Sequence, residues 1–220
     1  MSSDHRPRRA QPHDDLLIVG LVGRAGSGKS TVARALAAAG AVIVDADELG
    51  HEITDHDPDV RAALLSEYGP AVFLEDGTLH RRLVATKVFS NPAALERLNT
   101  LVHPRILKRM RLDIAKLAAA GHRGAVIVDA ALMLDWGFER ECDAVLAVIA
   151  PEDQQVARLV AGRGWTESEA RRRLAAQKPN AYFQGVADET LDNRGTEAEL
   201  AQSALAALER LQAARVRVSG

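Results

Sequence analysis

The 220-residue chain has few of the features that tie a protein to a membrane or to an oxidising compartment. Its single cysteine, Cys142, excludes an intramolecular disulfide, fits a reducing compartment and is expected to serve in packing. No apolar run approaches the roughly 20 residues of a membrane-spanning helix, and residues 1–15 lack the apolar core of a secretory signal. We therefore predict a cytoplasmic protein that has no membrane partner.

The chain also lacks a strong charge of either sign. Its net charge is −2 and its pI is about 6.4, so it has no overall basic field, and we expect no nucleic-acid partner. Its seven histidines show no metal-ligand spacing with cysteine or acids, so zinc is not expected. The balance of 47% apolar and 26% charged residues is that of an ordinary globular protein, which we expect to be a monomer.

Short apolar runs predict the strands of a buried parallel sheet. They are continuous rather than alternating, as expected of strands that are covered on both faces. The runs are Leu16–Val22, Ala41–Val44, Ala125–Asp129 and Ala144–Ala150, with Thr190–Asn193 as a candidate fifth strand. Helical patterns lie between them, which predicts an α/β protein. The capping sequences TESE (Thr166–Glu169) and TEAE (Thr196–Glu199) are predicted to start two of the helices. The region from residue 48 to residue 121 has helical apolar spacing and no convincing strand, and it reads as a helical insertion.

The stretch GRAGSGKST, residues 23–31, matches the phosphate-loop pattern G-x-x-x-x-G-K-[ST]. Its glycines permit positive φ, and the helix that follows offers free N–H groups and the positive end of its dipole to an anion. Lys29 is predicted to reach the β- and γ-phosphates of ATP or GTP, and Ser30 to bind Mg²⁺. Arg24 and Ala25 are expected to be the least constrained positions. The predicted phosphate contacts are Gly23, Ala25, Gly26, Ser27, Gly28, Lys29, Ser30 and Thr31.

A phosphate loop leaves three classes open: a small-molecule kinase, a nucleotide-dependent switch and an ATPase motor. The chain has no NKxD-type motif for reading guanine, and a motor is usually larger. Two acids after the second strand favour a kinase, because ligands of open α/β sheets bind beyond the carboxyl ends of the strands. Asp47 is predicted to accept a hydrogen bond from the acceptor hydroxyl and to orient its oxygen. Asp45 either contacts the substrate or caps the next helix.

Further candidate residues follow the same logic. Asp129 ends the third strand and is predicted to hold a Mg²⁺-bound water. Arg158 lies on a predicted helix and is a candidate contact to the acceptor. Arg163 lies between two glycines on a turn whose flexibility would let it cover developing phosphoryl charge, unless it belongs to a solvated helix face. His51 and His103 are candidate contacts to the acceptor. His103 precedes a proline and fits a histidine at a helix start equally well.

Six segments, in this order and spacing, resemble the dephospho-CoA kinase family. They are GLVGRAGSGKSTVA, GAVIVDADELGHEI, YGPAVFLEDGTLHRRLVATKVFSN, LNTLVHPRI, RLVAGRGWTESEARRRLAAQ and DETLDNRGTEAEL. The phosphate loop is shared with many enzymes, whereas the acids of the second segment, the HPRI helix and the arginine-rich fifth segment are more specific. The resemblance covers residues 17–211.

The resemblance implies a reaction. ATP would phosphorylate the ribose 3′-hydroxyl of dephospho-CoA, giving coenzyme A and ADP in the last step of coenzyme A biosynthesis, with Mg²⁺ as cofactor. The resemblance assigns the acceptor-hydroxyl role to Asp47, phosphate contacts to Lys29 and charge stabilisation to Arg163.

The resemblance also implies a P-loop three-layer fold with a parallel sheet of about five strands, a helical substrate-binding insertion and a helical lid. The predicted domains are a disordered tail (1–15), a nucleotide-binding core (16–47, 122–150 and 186–214), a helical acceptor-binding domain (48–121) and a lid (151–185).

Overall fold

The computed structural model describes residues 16–89 and 91–219, so the prediction of a disordered tail over residues 1–15 lies outside the described residues. The chain forms two compact units. One consists of the described part of residues 1–44 and 117–220, and the other of the described part of residues 45–116. The insertion predicted over residues 48–121 overlaps the second unit, which we call the helical unit.

The predicted strands form a single sheet. They are β1 (Leu16–Val22), β2 (Val42–Asp45), β3 (Gly124–Asp129), β4 (Ala144–Ile149) and β5 (Glu189–Asp192). Their order in the sheet is β2-β3-β1-β4-β5, and all five are parallel, which confirms the predicted fold class. Every residue of β1 and β4 is buried, which is why these two strands read as continuous apolar runs.

Helices connect the strands and make up the helical unit. The α-helices of the described residues are α1 (Lys29–Ala38), α2 (Ala46–His56), α3 (Pro58–Tyr68), α4 (Arg81–Phe89), α5 (Pro92–Ala119), α6 (Met133–Trp136), α7 (Glu152–Arg163), α8 (Glu167–Ala175), α9 (Asn180–Val186) and α10 (Glu197–Ser219). None of these helices is both long and apolar enough to cross a membrane.

Two helix starts predicted from capping sequences are confirmed. At α8 the Thr166 hydroxyl accepts a hydrogen bond from the Glu169 N–H at 3.2 Å. At α10 the exchange is reciprocal, because the Thr196 N–H donates to the Glu199 carboxylate at 2.7 Å while the Glu199 N–H donates to the Thr196 hydroxyl at 3.2 Å.

One face of the sheet packs against α1 and α10. The buried contributors include Val19 and Leu21 of β1, Val32 and Leu36 of α1, and Leu208 of α10. This packing fixes the start of α1 next to the carboxyl end of β1, where the phosphate loop lies.

Cys142 has the packing role that the sequence predicted for it. A side chain at Gly20 would place its Cβ 2.6 Å from the Met133 sulfur and 3.2 Å from the Cys142 sulfur. The two sulfur-containing side chains therefore fill the space next to Gly20, and a larger residue there would require the Met133 side chain to shift.

Helix α5 corrects the prediction for His103. This histidine and Pro104 lie inside a single 28-residue helix rather than at its start. An interior proline costs about 3 kcal/mol because it removes one donor and crowds the preceding turn. Here the Arg105 guanidinium donates to the Leu101 carbonyl of that turn at 2.9 Å. A buried stripe that continues past the proline outweighs the cost; its members are Val102, Ile106, Met110 and Ile114.

Charged side chains organise the segment that leads into α4. The Asp55 carboxylate accepts from the Leu79 N–H at 2.8 Å and pairs with the Arg81 guanidinium at 2.6 Å. The Arg61 guanidinium lies 4.0 Å from the centre of the Phe73 ring. The family-like segment around residues 68–91 therefore has a structural role within the helical unit, because its Arg81 pairs with Asp55 of α2 and its Phe73 contacts Arg61 of α3.

Candidate active site

The phosphate loop, residues 23–28, runs from the end of β1 to the first residue of α1, Lys29. Gly28 is the N-cap of α1, with φ 110°, and no side chain caps the helix. The Thr31 N–H donates to the Gly28 carbonyl at 3.0 Å, which leaves the N–H groups of Lys29 and Ser30 for an anion. The positive end of the helix dipole also favours an anion there. The Ser27 N–H closes the preceding turn on the Arg24 carbonyl at 3.2 Å.

The loop glycines are required by the protein as well as by a ligand. Gly23, Gly26 and Gly28 have positive φ angles of 150°, 71° and 110°. A Cβ at Gly26 would lie 2.7 Å from the backbone carbonyl oxygen of Gln155 on α7, and one at Gly28 would collide with the side-chain amide of Asn193. The loop thus packs closely against α7 and the segment after β5, and no space is left for a side chain at Gly26 or Gly28.

Replacing Gly26 with alanine is expected to lower the free energy of unfolding by about 2 kcal/mol or more, since both its φ and the nearby Gln155 carbonyl oppose a Cβ. Gly162 is the matched control, because it lies in α7 with open space around it. Alanine there should raise stability by about 0.5–1 kcal/mol. Urea unfolding of both variants tests this, and equal stabilities for the two would contradict it.

Arg158 and Asn193 bind the outward-facing carbonyl groups of the loop. The Arg158 guanidinium donates to the carbonyls of Gly26 at 3.2 Å and Ser27 at 3.4 Å. The Asn193 side-chain amide donates to the Ser27 carbonyl at 2.7 Å, in a buried position. Satisfying the carbonyls from the protein side leaves the N–H side of the loop for phosphate. We therefore assign Arg158 to support of the loop, and its predicted contact with the acceptor stays a prediction.

Lys29 and Asp129, which the sequence assigned to the phosphates and to a Mg²⁺-bound water, lie close together. Asp129 ends β3 opposite Leu21 of β1, one residue before that strand ends. The Lys29 Nζ lies 3.9 Å from the Asp129 Oδ1, and the two side chains are only 18% and 17% exposed. The strand register thus places a cation and a carboxylate next to the loop.

The structure corrects the prediction of a flexible turn around Arg163. Gly162 lies within α7, Arg163 is its last residue, and only Gly164 ends the helix, with φ 65°. The helix passes through Gly162 because one interior glycine costs only about 1 kcal/mol, and the Gly164 N–H bonds to the Val160 carbonyl at 3.1 Å. Arg163 is exposed, and its guanidinium lies 5.4 Å from the centre of the Trp165 ring.

Arg24 and Ala25, expected to be the least constrained loop positions, are tied to the helices, and that expectation is wrong. Arg24 is 7% exposed, and its guanidinium donates to the Leu174 carbonyl at 2.6 Å and to the Glu152 carboxylate at 3.2 Å. The Ala25 N–H donates to the side-chain oxygen of Gln177 at 3.0 Å. The latter bond occupies an N–H group that the sequence assigned to phosphate.

Apart from Arg158, the candidate acceptor residues belong to the helical unit. Asp45 caps α2, since its Oδ1 accepts from the N–H groups of Asp47 at 2.8 Å and Glu48 at 3.2 Å. The capping alternative is thus realised, while a substrate contact of Asp45 stays a prediction. Asp47 is exposed in the first turn of α2, and His51 is exposed one turn further on. His103 lies on α5, where partial burial lowers the pKa of its imidazole.

The helical unit contains a cavity of about 650 Å³ between α3 and α5. Tyr68 and the ion pair of Glu67 with Arg97 contribute its polar groups. Burial, and next the neighbouring Glu67 carboxylate, raise the pKa of the Tyr68 hydroxyl, so it stays protonated at neutral pH. The other lining residues are Ala63, Leu64, Ala93, Glu96, Leu98, Thr100 and Leu101.

The donor set next to the loop fits a nucleotide-bound Mg²⁺ better than a protein-held metal. Within residues 16–89 and 91–219, no three His, Cys, Asp or Glu side chains are grouped to hold a metal ion. Mg²⁺ in kinases needs no such cage, because it keeps several waters and binds one or two protein oxygens together with phosphates. The Ser30 hydroxyl in the first turn of α1 and the Asp129 carboxylate are donors of this kind.

Sequence reasoning missed four residues that hold the loop: Arg24, Gln155, Gln177 and Asn193. Asn193 and Gln177 lie within the segments that resemble the kinase family, so a signal was present without an assigned contact. Arg24 also lies within such a segment, but its partner Leu174 follows it by 150 positions, so nothing nearby in the sequence pointed to the contact. Gln155 lies outside these segments and gave no local signal.

The fold and the site together define the class of the protein. A parallel sheet joins its central strand through a glycine-rich loop to an uncapped helix, and a lysine of that helix pairs with the acid that ends the neighbouring strand. This is a P-loop nucleotide-binding kinase.

Comparison with known proteins identifies the family. The family model for dephospho-CoA kinase matches residues 17–199. The dephospho-CoA kinase of Corynebacterium efficiens is 40% identical over 180 residues, which cover 82% of this chain and 90% of that protein. The enzyme of Thermobifida fusca is 37% identical over 198 residues, covering 90% and 97%. The chain belongs to the dephospho-CoA kinase family.

Solved structures share the fold. The protein TT1252 from Thermus thermophilus superimposes with a TM-score of 0.73 at 30% identity, covering 89% of this chain and 97% of that one. The dephospho-CoA kinase from Campylobacter jejuni gives a TM-score of 0.63 at 19% identity, with the same coverage, and at that identity supports the fold alone.

Proposed function

We propose that the chain transfers the γ-phosphoryl group of ATP to the ribose 3′-hydroxyl of dephospho-CoA, with Lys29, Asp47 and Arg163 as its catalytic residues. Its family catalyses the last step of coenzyme A biosynthesis. The observation that carries the proposal is the phosphate loop followed by Lys29, whose Nζ lies 3.9 Å from the Asp129 carboxylate. The chain that contains this loop belongs to the dephospho-CoA kinase family.

In the proposed reaction, the acceptor oxygen forms a bond to the γ-phosphorus while the bond from that phosphorus to the β,γ-bridging oxygen breaks, and ADP leaves. The proton of the hydroxyl passes to the Asp47 carboxylate, whose main task is to orient the attacking oxygen, since little deprotonation is needed early in a loose transition state. Lys29 and Arg163 stabilise the negative charge on the phosphoryl oxygens.

The phosphates are proposed to bind at the N–H groups of Gly26, Gly28 and the first turn of α1, which no side chain caps. Mg²⁺, when bound with ATP, neutralises charge on the β- and γ-phosphate oxygens. We propose that the Ser30 hydroxyl holds it directly and that Asp129 holds one of its waters. Ser30 lies in the first turn of α1, and Asp129 lies at the end of the strand beside β1, which supports both roles.

The helical unit is proposed to bind the acceptor, with Asp45, Asp47, His51 and His103 as contacts. Its cavity would hold the part of dephospho-CoA that does not react. The cavity volume of about 650 Å³ lies in the range of small-molecule sites. Its aliphatic walls with a few polar groups suit the pantetheine arm, which is a neutral chain of methylene and amide groups.

Filling the cavity tests this role. Replacing Ala93 with phenylalanine should raise the KM for dephospho-CoA about tenfold, or 1.4 kcal/mol, and leave the KM for ATP unchanged. Ala62 lies on the same helix as Ala63 but does not line the cavity, so Ala62→Phe is the matched control. Steady-state kinetics would contradict the role if both variants kept the wild-type KM for dephospho-CoA.

An assay of ADP release tests the overall proposal. Dephospho-CoA should be phosphorylated much faster than adenosine or shikimate. These two compounds represent the acceptors of other small-molecule kinases that have a similar core. Turnover with dephospho-CoA that does not exceed the background without acceptor would contradict the proposal. The monomeric state, the cytoplasmic location and the absence of a nucleic-acid partner stay predictions.

A further inference from the structure

We propose that Arg24 and Gln177 are positioning residues that hold the phosphate loop against the helix pair of α7 and α8. Nucleotide that binds at the loop would then also stabilise the helix pair through these contacts. The inference rests on the proposed function only in taking ATP as the ligand of the loop. It concerns contacts within the unit that holds the sheet.

The first fastening is the buried guanidinium of Arg24. It reaches Leu174 in the last turn of α8 at 2.6 Å and Glu152 in the first turn of α7 at 3.2 Å. The Leu174 carbonyl also accepts from the Gln177 N–H at 3.0 Å, and the end of a helix carries the negative end of its dipole, so a cation is favoured there. Because a buried charge needs its partners, Arg24 holds the loop where both helix ends can be reached.

The second fastening lies at Ala25. Its N–H donates to the Gln177 side-chain oxygen at 3.0 Å. Ala25 and Trp165 also pack against a buried apolar cluster contributed by both helices, namely Val156, Leu159, Ala170 and Leu174. The N–H of Ala25 therefore belongs to this junction, and the phosphate cradle begins at Gly26 rather than at Ala25.

The remaining loop residues are in contact with α7. Gly26 lies against the Gln155 backbone, and the carbonyls of Gly26 and Ser27 accept from Arg158. A shift of the loop must therefore move α7 or break these contacts. Arg163 lies eight residues after Gln155, about 12 Å along the helix. The position of this proposed catalytic residue is thus set through the loop.

The decisive experiment compares hydrogen exchange with and without a non-hydrolysable ATP analogue. In the wild-type protein, the analogue should slow exchange in residues 23–31 and also in α8. Arg24→Met should keep the protection of the loop and lose that of α8, with kcat about tenfold lower and the KM for ATP within about threefold. Arg24→Lys should restore part of the coupling, because an ammonium group can serve only one of the two acceptors well.

Two further variants serve as a control and as a second test of the contacts. Arg172→Met changes an exposed arginine of α8 and should leave exchange and kinetics at wild-type values. Gln177→Ala changes another exposed side chain, so it remains informative if Arg24→Met fails to fold. It should weaken the protection of α8 while the affinity for the analogue stays within about threefold.

Protection of α8 that is undiminished in Arg24→Met, or in Gln177→Ala where Arg24→Met does not fold, would overturn the inference. Tighter analogue binding by Gln177→Ala would also overturn it, because Gln177 would then compete with phosphate for the Ala25 N–H. A wild-type protein that binds no analogue would instead contradict the proposed function and remove the basis of the inference.

Discussion

Replacement of Lys29 with alanine is expected to lower kcat by on the order of 10²-fold or more, the loss seen when one preorganised charge-stabilising group is removed from an active site. The Lys29 side chain is 18% exposed and has the Asp129 carboxylate 3.9 Å from its ammonium nitrogen. Its charge is therefore held at the loop before the phosphates arrive, which is the condition for a large effect on the transition state. Single-turnover and steady-state kinetics with dephospho-CoA measure the loss.

The control for Lys29 is Lys116, which lies on α5 with a side chain that is 62% exposed and pairs with Asp113 at 3.4 Å. Lys116→Ala should retain wild-type kinetics. Thermal unfolding of Lys29→Ala is needed as well, because Asp129 loses its neighbouring cation. A Lys29→Ala enzyme with activity within about threefold of the wild type would refute the assigned role.

Replacement of Asp47 with asparagine is expected to lower kcat substantially while the KM for ATP changes little. Asparagine keeps the size of the side chain but lacks the charge that accepts the hydroxyl proton and orients the attacking oxygen. The backbone of Asp47 is already fixed by its hydrogen bond to Asp45, so the exchange should not disturb the start of α2. Varying ATP and dephospho-CoA separately distinguishes the two effects.

Two neighbours give matched controls for Asp47. Glu48→Gln alters an exposed carboxylate in the same helical turn and should have little effect. Asp45→Asn retains a side-chain oxygen that can cap α2, so wild-type kinetics in that variant would limit Asp45 to its capping role. If Asp47→Asn changes only the KM for ATP, then Asp47 belongs to the nucleotide side of the reaction.

The sequence predicted well those elements whose causes are local. The apolar run Leu16–Val22 is a strand over the predicted bounds, because burial on both faces requires every position to be apolar. The capping sequences beginning at Thr166 and Thr196 start helices, because the bonds that define them span only three residues. The helix interior around His103 was missed, since local rules expect a proline to end a helix and only tertiary packing overrides them.

The phosphate site shows the same division. Glycine spacing and Lys29 identify a triphosphate-binding loop, because the loop itself provides the N–H groups and the charge. The hydrogen bonds of Arg24 to Glu152 and Leu174 were not predictable, and Arg24 was expected to be among the least constrained loop residues. Its partners Glu152 and Leu174 follow it by 128 and 150 positions and give no periodic signal near the loop.

The sequence by itself determined the sheet, the phosphate loop and, through its family-like segments, the kind of reaction, because these follow from short-range chemistry. Only the tertiary structure decided which side chains hold the loop in place. The glycines at positions 26 and 28 show why: their missing Cβ atoms make room for Gln155 and Asn193, and that close approach exists only after distant parts of the chain have packed together.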